Sequence, residues 1–146
     1  MLAKYRDGKV PEATESTALD EAGSRLMDSY AAAMDAFDLK TACERAGALV
    51  SEANQYIVAT APWTLAKNED NAALDRTLAS LVRCLVRLAG MTGPFMPSKA
   101  SELWRALGCS DDLWSVHWGS LIAPQVAGLQ TIRPPILFPK PEQANP

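Results

Sequence analysis

Three long stretches in which apolar side chains recur at steps of three and four commit this chain to packing helix against helix. In the first, Leu19, Ala22, Leu26, Tyr30 and Met34 share one face, which predicts a helix from Thr17 to Ala36. The second runs from Asp38, a capping residue, to about Ala59, with Ala42, Ala46, Leu49, Val50, Ala53, Tyr56 and Ile57 at the helical period. Pro62 stops it by restricting the residue before it. A short turn, APWTLAK, and the connector NEDN follow, and Asp70 or Asn71 caps a third helix from about Ala72 to Met91. Its stripe is Leu74, Leu78, Leu81, Val82, Leu85 and Ala89. Gly93, Pro94 and Pro97 then break the chain. Ser98 caps a fourth helix through Leu107 that turns Leu103, Trp104 and Leu107 inward, and Gly108 suits the left-handed position that closes it.

The ends read differently. Residues 1–14 are polar and broken by Gly8 and Pro11, which predicts an extended lead-in. Residues 109–146 carry six prolines and no helical period, so they form a largely extended tail. Trp114, Trp118, Leu121, Ile122, Ile132, Ile136, Leu137 and Phe138 are too apolar to stay in water, and the tail is expected to pack back across the helices. The architecture these signals define is an all-α antiparallel bundle of four main helices over residues 15–108, with the tail 109–146 in the same domain. A chain of 146 residues suffices for one such domain.

Composition narrows the chemistry. One histidine, His117, and three scattered cysteines, Cys43, Cys84 and Cys109, offer no metal-ligand spacing and no complete disulfide framework. The cysteines are most simply small core hydrophobes in a reducing compartment, and His117, between Trp114 and Trp118, is a packing or surface residue. Phosphate-cradling glycine loops and nucleophile elbows do not occur. Asp111 and Asp112 are neighbours in a loop, which does not make them converge on a substrate. The chain therefore reads as a binding protein with no catalytic or metal residue and no cofactor of its own. Neither a signal-peptide core nor a membrane span is evident, so the expected location is the cytoplasm. The net charge of −3 disfavours a broad grip on a nucleic-acid backbone. Arg76, Arg83 and Arg87 nevertheless share one narrow helical arc and form the clearest basic stripe, which in such a setting is more often a solvated face.

Read in order, ANQYIVATAPWTLAK at 53–67, the helix after NEDN, GPFMP at 93–97 and LWRALG at 103–108 form one constellation. It resembles the anticodon-binding domain of methionyl-tRNA synthetase, and the similarity extends to MDAFDLKTACERAGALV at 34–50 and PPILFPKPE at 134–142. Related class I synthetases share the bundle plan; the Asn-x-Tyr-Ile, Pro-Trp and Lys arrangement favours methionine. The resemblance implies that Trp63 meets the first anticodon base of methionine tRNA. An indole on a proline-fixed turn is a flat platform, and stacking one base on it is worth about 1–3 kcal/mol. Without the resemblance, Trp63 reads as a core residue closing the end of the bundle.

Pro62, Pro94 and Pro97 belong to the same signature, as do Asn54 and Tyr56, whose helical spacing suits inward packing and inter-helix hydrogen bonding. Lys67 meets phosphate or caps its turn, and Arg76, Arg83 and Arg87 are the candidate tRNA-backbone contacts. The resemblance further implies that the family's first helix, with an anticodon-reading Asn and Arg, precedes the first residue here. It implies too that ATP and methionine belong to a catalytic domain not in this stretch. PSKAS at 97–101 is a helix start and not that domain's KMSKS motif. Two other readings stay open: a free-standing helical interaction module that self-associates through the groove left by that first helix, and a compact helical enzyme in which His117 meets a carboxylate or a cysteine.

Overall fold

The computed structural model describes residues 1–133 and 137–139. The seven α-helices among them are α1 (Leu2–Tyr5), α2 (Ala18–Asp35), α3 (Leu39–Thr60), α4 (Pro62–Lys67), α5 (Asn71–Thr92), α6 (Pro97–Ala106) and α7 (Trp118–Ile122). A 3-10 turn at Leu113–Ser115 precedes α7, and the only β-pairing among the described residues is one antiparallel bridge, Lys9 to Gln130. The four main helices are α2, α3, α5 and α6, and the fold is all-α. The first of them, α2, starts with a reciprocal cap: Thr17 Oγ1 accepts from the Asp20 amide, and Asp20 accepts from the Thr17 amide. Asp38 and Asp70 cap α3 and α5 by accepting from the Thr41 and Ala73 amides.

The amphipathic faces close around α5, which packs against α2, α3, α4, α6 and α7. Met27, Leu49, Leu74, Leu78 and Met91 are fully buried. Each such side chain contributes about 1.5–3 kcal/mol by leaving water. The periodic stripes locate this core with a small rotation: Met27 and Ala33 lie deeper than Leu26 and Met34. Val50 and Leu85, assigned to stripes, are exposed.

Four local expectations are corrected. The lead-in is not extended from its start, because its first residues form the helical turn α1. APWTLAK is not a simple turn but contains α4, with Pro62 at its first position, where the missing amide costs nothing. Ser98 does not cap α6; Pro97 occupies the first turn, Met96 is the cap residue, and no side chain caps the end. Cys43 is exposed, unlike Cys84, which is a buried core residue whose thiol burial pushes up to about 12. Gly108 does take the left-handed conformation, at φ 83°.

The tail returns as expected, though by way of two helical turns. Leu121 and Val126 are buried, and Trp118 stacks on Tyr30 with ring centroids 5.4 Å apart. Backbone bonds from Val10 to Leu129 and from Thr131 to Gly8, both 2.8 Å, join it to the lead-in. Trp114, Ile132 and Phe138 are exposed, so hydrophobicity alone overstated how much of the tail packs. Ile136 lies outside the described residues.

Candidate nucleic-acid interface

The signature around Trp63 sits at the α3–α4 corner. Helix α3 ends at Thr60, and Ala61 adopts the left-handed conformation (φ 42°, ψ 63°), serving as the last cap of α3 and the first of α4. The following proline disfavours continuation of the right-handed helix at this residue, and the chain turns sharply instead. Pro62 is buried and anchors the new helix, which packs on α5. Trp63, next to it, is 53% exposed and makes no side-chain hydrogen bond or ring stack among the described residues. Lys67 lies one turn further along α4, exposed and in no ion pair among the described residues, on the face that carries Trp63. The corner thus presents a half-exposed flat aromatic one helical turn from an exposed cation, held by a buried proline. That arrangement suits a base on the indole and a phosphate near the ammonium.

The other signature residues divide. Tyr56 is half-buried against the core. Asn54, expected to pack inward, is exposed: it lies about 100° around α3 from the centre of the Ala42–Ala46–Leu49–Ala53 face. Pro94 and Pro97 are exposed and flank the link into α6.

The basic stripe is the largest correction. Its three arginines do share one face of α5, but at Arg83 and Arg87 that face points into the protein. Arg83 is 8% and Arg87 3% exposed, too deep for a tRNA backbone to reach. Both are held by Asp20. Arg83 Nε and Nη2 donate to its two carboxylate oxygens at 2.8 and 2.6 Å, and Arg87 Nη1 donates to Oδ1 at 2.9 Å. Ser80 adds a hydroxyl to the same carboxylate. Burial alone would raise the Asp20 pKa; the hydrogen bonds and charges of Arg83 and Arg87 outweigh it and hold it at about 2. Arg76 is exposed and pairs with Glu15 at 2.8 Å. The signal that was available and unread is Asp20 itself, in the capping-box position after Thr17 and therefore fixed in direction.

His117, Cys109 and Asp111 line one cavity of about 510 Å³, yet no hydrogen bond joins them, and burial followed by the Asp111 charge raises the Cys109 pKa, which keeps the thiol protonated. No group of three potential metal ligands occurs among the described residues, and no helix is long and apolar enough to cross a membrane.

The all-helical unit that carries this proline-set tryptophan corner has the fold found in methionyl-tRNA synthetase structures. The family described as the anticodon binding domain of methionyl tRNA ligase matches residues 7–145, and the chain belongs to that family. Among its relatives, the methionine–tRNA ligase of Deinococcus radiodurans is 34% identical over 149 residues, covering 97% of this chain and 21% of that protein. The ligase of Lactococcus lactis is 35% identical over 123 residues, covering 80% and 18%. A methionyl-tRNA synthetase structure from Mycobacterium tuberculosis, bound by methionyl-adenylate, superimposes with a TM-score of 0.80 at 25% identity, over 95% of this chain and 28% of that one. The chain thus spans about a fifth of the length of the curated relatives.

Proposed function

We propose that this domain binds the anticodon stem-loop of methionine tRNA, with Trp63 as the platform for the first anticodon base and Lys67 as a phosphate contact. In this reading it positions the tRNA for ATP-dependent charging with methionine by a catalytic domain outside this chain, in the cytoplasm. ATP and methionine are held by that other domain, and the chain itself catalyses nothing. The observation that carries the reading is the exposed indole of Trp63, without a hydrogen bond or ring stack among the described residues, on a corner fixed by buried Pro62. Arg83 and Arg87 take no part in it, and Arg76 is already committed to Glu15.

The test is a titration of a methionine anticodon stem-loop against the wild-type chain, Trp63→Ala and Trp63→Phe. Stacking predicts binding weakened about 5- to 150-fold in Trp63→Ala, corresponding to about 1–3 kcal/mol, and largely kept in Trp63→Phe. Equal affinity in all three would remove Trp63 from the interface. If the chain self-associates through an apolar face and ignores RNA, the interaction-module reading takes its place.

A further inference from the structure

We infer that the buried arginine pair is also a binding site for a small tetrahedral oxyanion such as inorganic phosphate. The pair borders a cavity of about 250 Å³ walled by the lead-in, α2, α5 and residues 122–127. Two guanidiniums face it, and Asp20 is its only acidic residue among the described residues, so the cluster carries one positive charge in excess. Buried charges are stable where they are matched, and here one is not.

The donor inventory agrees with the charge. Arg83 uses four of its five N–H groups, on the Ala13 and Glu15 carbonyls and on Asp20. Arg87 uses three of five, one on Asp20 and two on the Ile122 carbonyl. Among the described residues three guanidinium N–H groups therefore have no acceptor, and the pocket that the two arginines line also presents Ser16, Ser24 and Gln125. The two guanidiniums are fixed in place: Gly23 lies against Arg87, where an added Cβ would come within 3.1 Å of Nη1. Fixed, planar donors with surplus charge are the chemistry that recognises an oxyanion. Their depth favours a free anion over a backbone phosphate of a folded RNA, which cannot follow them below the surface.

Inorganic phosphate is titrated into the full chain at constant ionic strength by ³¹P NMR, with thermal unfolding in parallel. The site predicts saturable 1:1 binding, competition by sulfate but not chloride, and a roughly tenfold shift of the folding equilibrium at ten times Kd. Arg87→Lys should bind more weakly; since it also strains the fold, Gln125→Glu is the decisive variant. Its carboxylate supplies the matching charge internally, so the melting temperature rises in phosphate-free buffer and phosphate affinity falls at least tenfold. Absence of saturation overturns the proposal. So does an equal melting shift in wild type and Gln125→Glu, which is the general effect of an excluded salt. Displacement of bound phosphate by a methionine anticodon stem-loop would also overturn it, by assigning the donors to RNA.

Discussion

In the proposed function Trp63 serves recognition while Asp20 serves stability, and each has a measurable consequence. Trp63 is half in water, so Trp63→Ala should alter unfolding free energy by less than about 1 kcal/mol while weakening RNA binding. Asp20 is its opposite. Replacing it with Asn leaves Arg83 and Arg87 buried without their anion, and the cost should be about 3–5 kcal/mol in chemical denaturation. The pH dependence follows from the same pair. The Asp20 pKa is about 2 in the folded chain against 3.8 in the open reference, so the stability it contributes is complete above about pH 4–5 and is lost as pH falls towards 2. An acid titration of stability should show that loss, on the order of 2–3 kcal/mol, and Asp20→Asn should flatten it. None of this was legible from Arg76, Arg83 and Arg87 alone. Spacing assigns residues to a face of a helix, but which face turns inward depends on the partner that another helix brings.

The helices themselves were far more legible than their side-chain partners. Long apolar repeats and an Asp at each N-terminus located α3 and α5 to within a residue or two, because capping geometry and periodicity are local. Six-residue α4 escaped because one and a half turns carry no period and its opening proline reads as a breaker. The same local logic separates two serine and aspartate substitutions. Asp70→Ala should lower stability by about 1 kcal/mol, because its carboxylate satisfies the Ala73 amide. Ser98→Ala should change it by less than about 0.5 kcal/mol, since Ser98 caps nothing. Paired urea titrations of the two variants check both. As for the site, the Pro-Trp corner and Lys67 were named from a motif, and the fold explains why they face outward: Pro62 takes the buried position of the turn and leaves its neighbour in water.

At the scale of the molecule, lead-in and tail close over the bundle together. The tail pairs with Gly8 and Val10, Ile132 donates to the Ala106 carbonyl, and Arg87 grips Ile122, so distant segments meet at one side of α5. Gly108 is where the chain leaves α6 to make that return. It has φ 83°, and a Cβ there would run into the backbone of Gln130. Gly108→Ala should therefore destabilise the chain by about 2 kcal/mol or more, and hydrogen exchange should show the loss concentrated in residues 121–132 while α3 keeps its protection. The Trp63 corner proposed to meet RNA lies on α3 and α4, away from these tail contacts, so Gly108→Ala should leave RNA affinity unchanged as long as the bundle is folded. The measurement that bears most directly on the whole account is a comparison of the folded chain's affinity for methionine tRNA and for the same tRNA with its first anticodon base replaced. The account predicts tighter binding of the unaltered tRNA and loss of that preference in Trp63→Ala. Equal affinity for the two tRNAs, or a preference that survives in Trp63→Ala, would contradict it.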